Sequence, residues 1–167
     1  MIYYITGGER SGKSSYAQSL ALSLSQTPKY IATSRIWGDD HRKRIDRHIA
    51  DRDERWTSIE EEKKIATVIS NNDVAVIDCV TLWLTNFYVD TKNNVETSLE
   101  LAKVEFNKLL EINATIIIIS NEIGMGVHAQ TEVGRKFTEL QGWMNQHIAK
   151  HANKAIMMVS GIPLTLK

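Results

Sequence analysis

Five short apolar runs divide the chain: Ile2–Thr6, Lys29–Thr33, Val74–Asp78, Thr115–Ser120 and Ala155–Val159. They lack the alternation of a half-exposed strand, so each reads as a strand buried on both faces, as in a parallel sheet. Between them the apolar spacing lengthens to a helical period. Ser14–Ser25 carries apolar residues along one side. Leu99–Ile112 places Ala102, Phe106, Leu109 and Leu110 at i, i+4, i+7 and i+8, and Phe137–Ala152 keeps Phe137, Leu140, Met144 and Ile148 in register. Strand alternating with helix predicts an α/β fold, a mostly parallel sheet with right-handed crossovers and helices on both faces. Beyond Gly161, the segment Ile162–Leu166 suits an antiparallel edge strand at the C-terminus, where Pro163 is tolerated. No repeat, low-complexity tract or linker breaks the pattern, and residues 1–167 read as a single domain.

The unusual polar residues gather at the carboxyl ends of these strands: Gly7 onward, Thr33-Ser34, Asp78, Asn121-Glu122 and Ser160-Gly161. Open α/β sheets bind ligands at that edge, so one cleft is expected to collect all five groups. The first group is specific. Gly7-Gly8-Glu9-Arg10-Ser11-Gly12-Lys13-Ser14 fits G-x-x-x-x-G-K-[ST], with a strand before it and a helical pattern after it. Glycines let backbone N–H groups converge on phosphate oxygens, and the following helix directs its positive N-terminus at the same anion. Lys13 is expected to reach the β/γ-phosphates, and the Ser14 hydroxyl to take a place on Mg²⁺. Asp78, closing Val74-Ala75-Val76-Ile77, is expected to hold the same Mg²⁺ or its water shell, a cap on the next element being the plainer alternative. Glu122, ahead of Gly124-Met125-Gly126, suits the positioning of a substrate hydroxyl or the sensing of a γ-phosphate, or else belongs to a simple turn. These features define a P-loop nucleotide-binding chain of RecA-like architecture.

Composition narrows the partners. Lys+Arg and Asp+Glu are equal at 20 each, so no net basic field favours nucleic acid. No apolar run is long enough to span a membrane, and no signal-peptide pattern opens the chain, which reads as cytoplasmic. The single Cys79, at a strand end, suggests a buried thiol. Two histidine features stand out. His48 lies among the cations of Arg42-Lys43-Arg44-Ile45-Asp46-Arg47-His48-Ile49-Ala50-Asp51-Arg52, which would keep its imidazole neutral and nucleophilic and would attract a triphosphate. A solvated basic surface is the alternative. His147 and His151 have i, i+4 metal-site spacing but no evident third ligand, and read as an exposed helix face.

Several segments together resemble the bifunctional adenosylcobinamide kinase/adenosylcobinamide-phosphate guanylyltransferase family of cobalamin biosynthesis. They are Thr6–Ser14, Tyr30–Ser34, Arg44-Ile45-Asp46-Arg47-His48 with Arg52 and Trp56, Asp78–Asn86, Ser120–Gly126, Gly142–Gln146 and Val159–Pro163. Of these, the Asn-Glu-x-Gly-x-Gly and Arg-Ile-x-x-His segments discriminate best. The resemblance implies two reactions at one cleft. A nucleoside triphosphate, ATP or GTP, gives its γ-phosphoryl group to the aminopropanol hydroxyl of adenosylcobinamide. GTP then gives GMP to an enzyme histidine, His48 by position, and adenosylcobinamide phosphate takes it to form adenosylcobinamide-GDP. The resemblance further implies nucleotide contacts from Thr33, Ser34, Arg35, Ile49, Ala50, Asp51, Arg52, Glu60 and Asp78, and a homo-oligomer, specifically a trimer. The chain departs from the family at Arg52-Asp53, at Glu60-Glu61-Glu62, at Val127-His128 and at Phe137-Thr138-Glu139, none of which removes a catalytic group. Two rivals remain at this point. A monofunctional small-molecule kinase accounts for Lys13, Ser14 and Asp78 but leaves His48 idle, and a nucleotide-switched binding protein would carry no covalent nucleotide.

Overall fold

In a computed structural model of the protein, which describes residues 1–35 and 53–167, successive residues of the apolar runs point to opposite faces of one sheet, and both faces are covered. Among the described residues, seven strands lie in the order β3-β2-β4-β5-β1-β6-β7. They are β1 (Ile2–Gly7), β2 (Lys29–Ala32), β3 (Thr57–Glu60), β4 (Val74–Asp78), β5 (Thr115–Ile119), β6 (Lys154–Val159) and β7 (Ile162–Thr165). Every pairing is parallel except the β6–β7 hairpin. The mostly parallel α/β architecture with an antiparallel C-terminal edge is the one the pattern predicts.

Among the described residues the helices are α1 (Lys13–Leu24), α2 (Val80–Asp90), α3 (Val95–Leu110) and α4 (Glu132–His151). On one face α2, α3 and α4 pack over Ile2, Tyr4, Ile77, Ile116 and Ile118 with Trp83, Phe106, Leu140 and Met144. On the other, α1 lays Ala17 and Ala21 against Tyr3, Ile5, Val76, Ile117 and Ile119. Burying a large aliphatic side chain contributes about 1.5–3 kcal/mol, so this double-sided core dominates the fold's stability.

Three departures from the sequence reading are informative. β3 was not expected, because Thr57-Ser58-Ile59-Glu60 has no apolar run; it is an exposed edge strand held by backbone pairing to β2. Neither was α2, which has apolar residues around most of its circumference. Leu110, expected on the buried stripe of α3, is instead exposed, while Ala102, Phe106 and Leu109 are buried.

The helix starts differ in a way that bears on function. Asn94 and Thr131 cap α3 and α4 with side-chain oxygens that accept from the Thr97 and Gly134 amides. No side chain caps α1 or α2, and both begin at the carboxyl edge of the sheet. At α1 the first-turn N–H groups are open to a ligand, whereas in α2 the Thr81 and Leu82 amides turn toward the Cys79 sulfur.

Candidate active site

The loop joining β1 to α1 has the shape of a phosphate cradle. Gly7 and Gly12 have φ of 147° and 95°, and Arg10 between them is also left-handed at 54°. A Cβ on Gly7 would come within 2.5 Å of the Met158 carbonyl oxygen, so the loop packs against β6 too closely for any side chain there. The β6–β7 turn supports the loop from behind, with the Gly161 amide donating to the Ser11 carbonyl at 2.9 Å. Lys13, 7% exposed, folds back so that Nζ donates to the Gly8 carbonyl at 2.5 Å. Burial lowers its pKa, and the nearby Cys79, Asp78 and Glu9 act in the opposite direction. The ammonium thus lies within the loop, between the Gly8 carbonyl and the Ser11 hydroxyl.

Asp78 ends β4 beside Ser14, whose hydroxyl donates to Oδ2 at 3.0 Å. The Tyr30 hydroxyl donates to the same oxygen. Behind Asp78, Thr33 is fully buried. Its hydroxyl donates to the Cys79 carbonyl at 2.8 Å and accepts from the Cys79 amide at 2.9 Å. Asn86 of α2 donates to the carbonyls of Thr33 and Glu62 at 2.7 and 2.9 Å. Thr33 thus braces the turn that aims Asp78, with its hydroxyl already occupied. Cys79 is buried as expected, and burial pushes its thiol up to about 12.

Glu122 lies beyond β5, at the same edge. Its Oε1 accepts from Thr6 Oγ1 at 2.8 Å, Asn145 Nδ2 at 3.1 Å and Tyr4 Oη at 3.3 Å. Its Oε2 has no hydrogen-bond partner among the described residues. Ser120, Gln141 and Asn145 extend the network through buried bonds of 2.6–3.0 Å. Tyr4's phenol pKa is raised, chiefly by burial, so the hydroxyl keeps its proton and its role as donor.

A cavity of about 900 Å³ joins these parts. Its lining comes from Gly8–Ser11, from Cys79, Thr81 and Leu82 after β4, from Asn121–Ile123 after β5, and from Met157–Ser160 at the end of β6 beside the phosphate loop. Three of the five strand-end groups line it, and Asp78, outside the lining, meets the end of the phosphate loop through its bond to Ser14. Thr33-Ser34 also stands outside the lining, with Ser34 Oγ bonded to the Arg35 carbonyl at 3.2 Å. Arg35 binds Asp90 through both guanidinium nitrogens, at 2.8 and 3.0 Å, and Glu62 through Nε at 2.7 Å. These bonds raise its pKa, Asp90 contributing most, and hold the Asp90 carboxyl well below its usual range. Glu60 is exposed at the end of β3, opposite Ala32 of β2. His48, Ile49, Ala50, Asp51 and Arg52 lie outside the described residues.

His147 and His151 have ring centroids 4.6 Å apart with tilted planes and pack edge-on against Phe106, so they are partly buried instead of forming a solvated face. Among the described residues, no group of three or more His, Cys, Asp or Glu is placed to hold a metal. No helix among them is long and apolar enough to cross a membrane.

Sequence reasoning missed Tyr30, Tyr4, Thr6 and Asn145. The first three sit inside strand runs and read as core. For Asn145 and Gln141 a signal did exist: two polar residues at i, i+4 spacing beside the buried stripe Leu140, Met144, Ile148.

A glycine cradle, a buried lysine, a hydroxyl–carboxylate pair and uncapped helix starts at the carboxyl edge of a parallel sheet define a P-loop nucleotide-binding protein. Comparison with known proteins goes further. The family model for "Cobinamide kinase / cobinamide phosphate guanyltransferase" matches residues 3–166, and the chain belongs to this family of enzymes. The bifunctional adenosylcobalamin biosynthesis protein CobU of Escherichia coli K12 is 32% identical, with the alignment covering 100% of both chains. The bifunctional adenosylcobalamin biosynthesis protein CobP of Pseudomonas aeruginosa is 35% identical over 98% of this chain and 95% of its own. Among solved structures, the flagellar accessory protein FlaH from Methanocaldococcus jannaschii matches at 15% identity and a TM-score of 0.48, over 99% of this chain and 77% of that one.

Proposed function

We propose that the protein is a bifunctional transferase of cobalamin biosynthesis that phosphorylates adenosylcobinamide and then guanylylates the product. Family membership over residues 3–166 carries this reading, and the cleft supplies groups suited to it. In the first step Lys13 and the loop amides hold the β/γ-phosphates of ATP or GTP. The acceptor hydroxyl attacks the γ-phosphorus, its proton passes to Glu122, and the bond to the β-phosphate oxygen breaks to release the diphosphate. Ser14 and Asp78 offer hard oxygen donors on adjacent elements, 3.0 Å apart, the donor chemistry that Mg²⁺ requires. When bound there, Mg²⁺ would neutralise charge on the phosphates.

In the second step an imidazole nitrogen of His48 attacks the α-phosphorus of GTP and pyrophosphate leaves. The phosphate oxygen of adenosylcobinamide phosphate then displaces the imidazole from that phosphorus. Arg52 and the residues Ile49, Ala50 and Asp51 belong with His48 in this role, and Ser34, Arg35 and Glu60 with the nucleotide. The working protein is a cytoplasmic homotrimer with small-molecule substrates and no nucleic-acid partner.

The test is direct. Protein incubated with α-labelled GTP and Mg²⁺, then denatured, should carry acid-labile label. His48→Ala should lose that label and guanylyl transfer while keeping phosphoryl transfer, which needs no enzyme nucleophile. Persistent acid-labile label on His48→Ala would remove His48 from the scheme.

A further inference from the structure

Asp78 is held by two side chains that differ in freedom. Ser14 sits in the first turn of α1, and its hydroxyl donates to Oδ2 at 3.0 Å. Tyr30 sits within β2, 3% exposed, and its hydroxyl donates to the same oxygen. The strand register explains that reach. Tyr30 pairs with Val76 and Ala32 with Asp78, so Tyr30 and Asp78 share a sheet face and the phenol crosses it diagonally. The ring is fixed as well, since Trp56 packs against it edge to face with centroids 5.8 Å apart. The backbone of Asp78 is tied to the same limb of the chain, its carbonyl accepting from the Thr33 amide at 3.0 Å.

Ser14 belongs to the loop that takes the nucleotide, so its bond to Asp78 depends on how that loop fits the phosphates. Tyr30 belongs to the sheet and has no such dependence. Carboxylates that hold metal ions are aimed by hydrogen-bond partners outside the coordination shell, and loss of one such partner typically weakens metal binding about 10- to 100-fold. We propose that Tyr30 is a positioning residue for Asp78. Its phenol secures Oδ2 and so leaves Oδ1 as the oxygen available to the divalent cation that accompanies the triphosphate, or to that cation's water. This rests on the reading of Ser14 and Asp78 as the cation's donors, and it adds a strand residue outside the phosphate-loop motif.

Tyr30→Phe removes the hydroxyl and keeps the ring against Trp56, so it should fold as wild type does. The probe is Mn²⁺, whose free fraction is read by electron paramagnetic resonance with a non-hydrolysable GTP analogue bound to excess protein. Tyr30→Phe should bind Mn²⁺ about tenfold or more weakly than wild type, with affinity for the cation-free analogue within about twofold. The Mg²⁺ concentration for half-maximal phosphoryl transfer should rise by the same factor, and excess Mg²⁺ should restore the rate. Unchanged Mn²⁺ affinity would overturn the proposal. So would a rate lowered equally at every Mg²⁺ concentration, which is the mark of a merely structural role. Asp78→Asn, measured beside it, separates this from the metal reading. Mn²⁺ affinity lost in Asp78→Asn but kept in Tyr30→Phe refutes the positioning role alone, whereas wild-type affinity in Asp78→Asn refutes the metal reading and the proposal with it.

Discussion

Asp78 and Glu122 stand at the ends of the neighbouring strands β4 and β5, and each is held through a single oxygen, but by different kinds of partner. Asp78 Oδ2 accepts from Ser14 in the first turn of α1 and from Tyr30 of β2. Ser14 belongs to the nucleotide loop, so that bond is one a ligand can replace. Glu122 Oε1 is bonded by Tyr4 and Thr6 of β1 and by Asn145 of α4, all scaffold positions. On the function proposed above, the first carboxylate would exchange partners when nucleotide binds, while the second would keep its place. Similar positions on one sheet would then serve the two substrates differently: Asp78 the donor, Glu122 the acceptor.

The largest expected effect lies on the donor side. On the proposed function, Lys13→Ala removes the ammonium that would meet the β/γ-phosphates, and both reactions use a triphosphate. Phosphoryl transfer should fall by about a hundredfold to a thousandfold, as when a main electrostatic contact is lost. Steady-state rates at saturating acceptor check this, and near-normal activity would remove the loop from the chemistry.

A smaller effect should come from the scaffold behind Glu122. Thr6→Val keeps the shape but deletes the 2.8 Å donor to Oε1. A hydrogen bond to a charged group contributes about 1.5–3 kcal/mol, so phosphoryl transfer should fall roughly tenfold to a hundredfold, in kcat more than in the KM for nucleotide. An equal loss in nucleotide affinity would show that the network serves the donor instead.

The smallest effect concerns Cys79, which follows Asp78 in sequence and lines the cleft. Burial raises its pKa from the ordinary 9.0 to about 12, so the thiol remains protonated near neutral pH. Alkylation at pH 8, followed by mass spectrometry, should run at least tenfold slower than for a free thiol. The sign for stability follows: Cys79's contribution is complete below about pH 9 and is lost as pH rises toward about 12.

The donor half was far more legible in the sequence than the acceptor half. Phosphate binding requires glycines, a lysine and a hydroxyl at fixed spacing, because the cradle is a local backbone shape. Asp78 was visible because a carboxylate closing an apolar strand is conspicuous. Glu122 was visible on the same ground, but its three donors come from β1 and from a helix more than 20 residues downstream, a juxtaposition that only packing creates. The same reasoning covers the fold. Strands buried on both faces announce themselves by continuous apolar runs, whereas β3 depends on backbone pairing with β2, which leaves no side-chain pattern. The apolar period puts the starts of α3 and α4 at Leu99 and Phe137, whereas the capping residues Asn94 and Thr131 mark the true beginnings.

The division of labour between the two carboxylates is tested most directly by the acceptor-free half-reaction. Asp78→Asn and Glu122→Gln would each be incubated with α-labelled GTP and Mg²⁺, and the covalently bound label counted beside phosphoryl transfer to cobinamide. Asp78→Asn should lose both. Glu122→Gln should take up label as wild type does while its phosphoryl transfer falls about a hundredfold or more. Loss of label from Glu122→Gln in step with its phosphoryl transfer, or full labelling of Asp78→Asn, would contradict the account.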